Sequence, residues 1–313
     1  MNATKKFQSI CGFFTALVFY WSGSVAVQAA DAEYSMVRGF GGVPLAVFQT
    51  GNRAGLPILF IHGSSQSMRV WSKQFVDPDL TEDFHLIAFD LRGHGASGKP
   101  WHSQAYGEEP LAGDVKAVID TFTSLKVALV PWSYGGNVAM AYVRKFGLDR
   151  VSGINIVASR SGLGPSTMLS KLTEAERDVL NIRRRSMRSD DIAVNAEATR
   201  SFIRDLSAAK LDEEAFREFL AFNMMTAPYV RRAKGLYRPD NRDLASHMTV
   251  PVLVSHGDAD ALVSIEDAHR TRSMIKGSRI SIYEGAGHMP FYENSERFNH
   301  ELSAFVSMLQ SQD

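Results

Sequence analysis

A serine stands where a hydroxyl could act as a nucleophile. Ser133 follows the apolar run Val127-Ala128-Leu129-Val130 and precedes Tyr134-Gly135-Gly136, after which helical spacing continues to Phe146 and Gly147 is placed to end it. A strand that turns at once into a helix forces the residue between them into a strained conformation, at a cost on the order of 1–3 kcal/mol, and small neighbours relieve the crowding. Such a turn lifts the side chain out of the sheet. It also points a helix N-terminus at whatever lies beside Ser133, which favours developing negative charge. A serine hydroxyl attacks poorly until a base takes its proton, and an imidazole with a pKa of about 6.5 can take and return one near neutrality. A carboxylate can hold that imidazole in the useful tautomer. The sequence offers His288, after Gly285-Ala286-Gly287, and two carboxylates, Asp258 and Asp260, after the run Val252-Leu253-Val254-Ser255-His256-Gly257. Plain readings stand beside these: a structural Ser-Tyr-Gly-Gly turn, a polar loop histidine, and an aspartate that bonds nearby amides in a turn.

These residues must be positioned by regular elements. Short β-rich runs occur at 45–48, 57–61, 85–89, 127–130, 154–157, 250–254 and 279–283. Several are continuously apolar, as in strands covered on both faces by helices. Helical spacing occurs at 68–75, 111–125, 138–146, 265–275 and 298–309. This alternation predicts an α/β fold, a doubly wound and mostly parallel sheet. From about 160 to 247 no strand is expected, and Thr173-Glu174-Ala175-Glu176 reads as a capping box. That interval is predicted to be a helical insertion, with 30–159 and 248–313 forming the core. It could simply enlarge the core, or it could cap a site at the carboxyl ends of the strands, where ligands bind in open α/β sheets. The second reading is preferred.

The motifs in this setting resemble the α/β-hydrolase superfamily, whose elbow is usually written Gly-x-Ser-x-Gly. Here Pro131 replaces the first glycine in Pro131-Trp132-Ser133-Tyr134-Gly135. Proline lacks a donor and fixes φ, which is tolerable at the last residue of a strand. The resemblance extends to His62-Gly63-Ser64-Ser65, which matches the loop supplying one oxyanion-hole amide, and to Phe89-Asp90-Leu91-Arg92-Gly93-His94-Gly95-Ala96-Ser97, a loop common in the superfamily. It implies a triad in the order Ser133, Asp260, His288. It further implies that the Ser64 and Tyr134 amides face the substrate oxygen. Asp260, three residues after Gly257, is preferred to Asp258, and His94 is read as a loop residue rather than a base. The pattern spans nearly all of residues 34–309. Dehalogenase and epoxide hydrolase branches are disfavoured, because they resemble it with aspartate at the nucleophile position.

The N-terminus reads separately. Lys5 and Lys6 precede an apolar stretch from 10 to 21, and Val27-Gln28-Ala29 suits cleavage before Ala30. Residues 1–29 are therefore expected to be a signal peptide, with export to a periplasm or the medium and no stable membrane insertion after cleavage. An uncleaved anchor is the alternative. Cleavage would remove both lysines and no acid, changing 34 basic and 34 acidic residues to 32 and 34. It would also remove Cys11, the only cysteine, which excludes thiol nucleophiles and Cys-ligated zinc from the mature chain. A charge balance near zero gives no footprint for nucleic acid. The nine histidines show no metal-ligand spacing and no nucleotide-binding glycine loop is present, so neither metal nor cofactor is expected.

Other residues invite competing readings. Arg183-Arg184-Arg185 with Arg188 could attract an anion, but a charge run on a helix is usually a solvated face, and that reading is taken. Met224, Met225, Tyr229 and Tyr237 could line a pocket or pack in a core. Trp132 and Tyr134 flank the nucleophile and are expected to contact substrate. The function expected is an exported serine hydrolase acting on a small-molecule carboxylic ester through an acyl-enzyme. Lactones, thioesters, C–C bonds or perhydrolysis are alternatives on the same triad, and a ligand-binding protein without catalysis is a further one.

Overall fold

The computed structural model describes residues 32–311. The expected signal segment, with Cys11, lies outside them. Eight strands, β1 (Glu33–Arg38), β2 (Pro44–Gly51), β3 (Pro57–Ile61), β4 (His85–Phe89), β5 (Val127–Pro131), β6 (Val151–Val157), β7 (Val252–Gly257) and β8 (Arg279–Tyr283), form one sheet in the order β1-β2-β4-β3-β5-β6-β7-β8. β2 pairs antiparallel with both β1 and β4, and every later pairing is parallel. All seven expected strands are present, several of them longer than their apolar run. The eighth, β1, was not foreseen: only Val37 is buried in Glu33–Arg38, because an edge strand needs little apolar surface.

The period of two explains why β3, β4 and β5 read as solid apolar runs. Ile58, Phe60, Leu86, Ala88, Ala128 and Val130 point into one core, while Leu59, Ile61, Ile87, Phe89, Val127 and Leu129 point into the other. The second core is closed by α1 (Glu108–Phe122), with Leu111, Val115, Val118 and Ile119, and by α2 (Tyr134–Phe146), with Val138 and Tyr142. The first is closed from the far end of the chain by Phe298, Leu302, Phe305 and Leu309 of the helix Ser295–Gln310. Their spacing of three and four keeps one face inward.

Between β6 and β7 the chain is helical: α3 (Glu174–Ser186), α4 (Ile192–Arg204), α5 (Glu213–Met224) and α6 (Pro228–Lys234). Thr173 and Glu176 form the reciprocal capping box that their spacing implies. The strand order reverses direction between β3 and β5. Their connections leave toward opposite edges of the sheet, opening a crevice at their carboxyl ends. The loops carrying Ser64 and Ser133 start there.

Candidate active site

Ser133 is the hinge between β5 and α2. Its backbone sits at φ 54°, ψ −116°, a region that a non-glycine residue occupies only when its surroundings enforce it. The enforcement is visible. The Ser133 N–H donates to the Val157 carbonyl (3.0 Å), and its own carbonyl accepts from the Ser159 hydroxyl (2.6 Å). The next two positions leave no room for a side chain. A Cβ on Gly135 would lie 2.3 Å from the Ile61 carbonyl oxygen, and one on Gly136 2.2 Å from the Ser159 Oγ. Pro131 is the last residue of β5, where its missing N–H is harmless, and the ladder continues through Trp132, whose N–H donates to the Ile61 carbonyl.

The structure brings the three expected side chains together across 155 residues of sequence. His288 Nε2 lies 2.9 Å from Ser133 Oγ, and His288 Nδ1 lies 2.7 Å from Asp260 Oδ2. With the carboxylate ionised, Nδ1–H donates to Asp260, which leaves Nε2 to accept the serine proton. The other oxygen of Asp260 accepts the N–H groups of Leu262 (2.7 Å) and Val263 (3.0 Å), so the carboxylate cannot rotate away. Burial alone would raise the pKa of Asp260. The charge and hydrogen bond of His288, the neighbouring His256 and the Val263 amide outweigh it and hold the group below its ordinary value. Asp258 is elsewhere: it accepts the Gly285 N–H (2.7 Å) and ties two loops together at the surface.

The histidine loop is held by groups the sequence did not single out. Glu293 accepts the N–H of Gly287 on one oxygen and those of Ala208 and Ala209, from the insertion, on the other. Gly257 must be glycine, because a Cβ there would lie 2.2 Å from the carbonyl oxygens of both Ala286 and Gly287. His256 is buried with Nε2 2.8 Å from the Val263 carbonyl, and burial lowers its pKa. Nothing in sequence spacing distinguishes such support residues from ordinary loop residues.

Trp132 requires a correction. Expected to touch substrate, it is fully buried, its indole N–H donates to the His288 carbonyl (2.8 Å), and its ring packs on Trp71 and Phe291. It supports the histidine from behind, because strand alternation turns it away from the face that Ser133 occupies. Tyr134 does line the cavity at Ser133, and so does Ser64. Tyr134 is the first residue of α2, where backbone N–H groups have no intrahelical acceptor, and Ser64 follows β3 immediately alongside.

The 62–65 and 89–97 loops are built from buried polar contacts. His62 donates from Nδ1 to the Gly63 carbonyl and accepts the Leu91 N–H on Nε2, which fixes it as neutral; burial pushes its pKa down to about 4. His94 is held well below its ordinary value, first by burial. Arg92 and Asp114 form a buried two-pronged ion pair at 2.6 Å. His94 thus stands as a loop residue.

The cavity has a volume of about 540 Å³ and is lined both by these loops and by the insertion. Lys234, at the end of α6, is its unforeseen member. It is buried, donates to Ser64 Oγ, and lies 5.1 Å above the Tyr134 ring. Burial, with Arg231, Arg188 and Arg238 nearby, pushes its pKa down to about 7. The arginine run also needs correcting: Arg185 is exposed, but Arg183, Arg184 and Arg188 face the cavity. Of the four residues weighed as a pocket, only Tyr237 lines it; Tyr229 instead stacks on Trp101 and bonds the Lys99 carbonyl. Among the described residues no group of three or more His, Cys, Asp or Glu could hold a metal ion, and no helix is long and apolar enough to cross a membrane.

A family profile described as alpha/beta hydrolase fold matches residues 57–295. The chain belongs to this family. The α/β-hydrolase fold also carries its similarity to solved structures. A Burkholderia cenocepacia protein proposed to be an aryl esterase superimposes with a TM-score of 0.80 at 33% identity, covering 89% of this chain and 100% of that one. The esterase RhEst1 from a Rhodococcus species gives 0.78 and 30%, covering 88% and 99%. Among curated relatives, 2-hydroxy-6-oxo-2,4-heptadienoate hydrolase of Pseudomonas putida is 26% identical over 88% of this chain and 98% of its own length.

Proposed function

We propose that this α/β-hydrolase is a serine hydrolase that cleaves a carboxylic ester by acyl transfer to water. The observation that carries the reading is the continuous hydrogen-bonded line from Ser133 Oγ through His288 to Asp260, ending in a carboxylate fixed by two amides. As Ser133 attacks the ester carbonyl, His288 Nε2 takes its proton and returns it to the leaving alcohol. Asp260 keeps the ring oriented and stabilises the imidazolium. The Ser64 and Tyr134 amides are the donors for the tetrahedral oxyanion, where the loss of one such donor raises the barrier by about 2.7–4 kcal/mol. Water then repeats the cycle on the acyl-enzyme. The similarity to esterase structures at 30% identity and above supports ester over other acyl bonds.

Ser133→Ala should leave far-ultraviolet circular dichroism unchanged and remove ester turnover. Turnover near the wild-type rate in the folded variant contradicts the proposal. The insertion is read as a cap over the site, since its residues share the cavity wall with Ser133. Export is proposed from residues 1–29 alone. Sequencing the N-terminus of protein recovered from the producing cell should give Ala30 or a close neighbour, and a chain still beginning at Met1 contradicts cleavage.

A further inference from the structure

We infer that the substrate is an ester that also bears a free carboxylate, held by basic side chains of the insertion while Ser133 attacks the ester carbon. This inference rests on the serine-hydrolase reading and names its substrate class.

Seven cationic side chains, Arg160, Arg183, Arg184, Arg188, the buried Arg231, Lys234 and Arg238, line the cavity together, and no aspartate or glutamate lines it. Several arginines outside the cavity are paired with acids: Arg69 with Glu218, Arg144 with Asp243, Arg232 with Asp190, Arg297 with Glu301. In the cavity only Arg183 has an acidic partner, Asp205. The guanidinium groups of Arg160, Arg184, Arg188 and Arg238 have neither an ion pair nor a side-chain hydrogen bond among the described residues. The arrangement runs from the rim, where Arg184 and Arg238 are exposed, through half-buried Arg160 and Arg188, to buried Lys234 beside Ser64. The Arg188 guanidinium is seated so closely on Gly235 that a Cβ there would lie 2.8 Å from its Nη2. Burial first, and then one another's charges, weaken the hold of Arg184 and Arg188 on their protons.

A cluster of like charges against a partly buried wall raises the free energy of the empty site, and an anion relieves it while filling donors that otherwise face water. Guanidinium forks match a carboxylate with two parallel bonds, and such charge-assisted bonds are stronger than neutral ones. The remaining wall includes Met168, Leu169, Leu180 and Phe202. That mixture suits one charge at the end of a short carbon chain, a half-ester of a dicarboxylic acid. Hydrolysis consumes one water, breaks the acyl C–O bond, sends the proton relayed by His288 to the departing alcohol, and leaves a second carboxylate on the acid.

Monoethyl glutarate carries a carboxylate where diethyl glutarate carries a second ethyl ester, and their turnover by the full chain, counted per ester group, can be followed by proton release. The kcat/KM for the half-ester is expected to exceed that for the diester by about tenfold or more, the size of a charged hydrogen bond, mainly through a lower KM. The preference should shrink as salt is raised. Arg188→Gln and Arg160→Gln should each reduce the ratio several-fold; the wild-type comparison needs no variant to fold. Equal kcat/KM for the two esters, in protein whose Ser133 still reacts with a fluorophosphonate, overturns the inference and leaves the serine-hydrolase reading standing. Failure to cleave either ester together with an unreactive Ser133 overturns both.

Discussion

Two aspartates two residues apart occupy different chemical worlds, and the difference is a matter of which atoms they reach. Asp260 faces the His288 ring and two amides, whereas Asp258 bonds one backbone N–H at the surface. Asp260→Asn keeps the shape but replaces the acceptor with a group that favours the wrong imidazole tautomer, and kcat should fall by roughly 10⁴-fold. Asp258→Asn should change it only slightly. Steady-state ester kinetics on the two variants check this, and a reversed ranking contradicts the assignment. The residue types of the triad were legible in the sequence because a strand end, close glycines and chain order constrain them. Lys234 and the inward arginines were not. A basic residue on a polar helix carries no mark of whether it faces solvent or a cavity, and that depends on how α3 and α6 dock. Trp132 was misjudged for a related reason: proximity in sequence to a nucleophile says nothing about which face of the sheet a side chain takes.

At the scale of elements, the turn from β5 into α2 depends on backbone lying against backbone. Gly135→Ala would push a methyl into the carbonyls of Ile61 and His62, neither of which is a side chain that can swing aside. A loss of about 1–3 kcal/mol is expected from this overpacking, together with a displaced Ser133. Gly147, at φ 74° with nothing within 4 Å of its virtual Cβ, is the control. Gly147→Ala should cost about 1–3 kcal/mol, because φ 74° with ψ −161° is a backbone region open essentially only to glycine, and leave ester turnover nearly intact. Urea midpoints and ester rates for the two variants separate the effects; equal loss of activity in both contradicts the account. The strands buried on both faces were easy to read for the same physical reason that they are stable. β1 was hidden, because an edge strand that buries only Val37 has almost no pattern to show. The extent of α2 was underestimated at its N-terminus, since Gly135 and Gly136 are poor helix formers kept for clearance rather than propensity.

The molecule as a whole keeps several histidines neutral in order to bury them, and this ties its stability to acid. His62 is lowered to about 4 mainly by burial, opposed by Asp90 and the Gly63 carbonyl and reinforced by Lys234; His94, packed edge-on to it at 5.2 Å, is lowered too. A folded-state pKa below the unfolded value of about 6.5 means that the unfolded chain binds more protons between those limits, so stability is full above about pH 6.5 and falls as pH drops toward 4. A loss on the order of 3 kcal/mol is expected from His62 alone. Urea midpoints measured from neutral pH to pH 4.5 should decline steadily, and a flat profile contradicts the assignment of neutral, buried rings. The largest distances in sequence meet in the smallest space, where β3, β5 and the loop after β8 bring Ser64, Ser133 and His288 to one cavity wall, and the turn after β7 sets Asp260 behind His288. The direct measurement is to treat the intact folded protein with a fluorophosphonate and map the modified peptide by mass spectrometry. A single adduct on Ser133, formed in the wild type and lost in both Ser133→Ala and His288→Ala, is the expected result. An unmodified Ser133 in folded protein that nonetheless turns over esters would contradict the account.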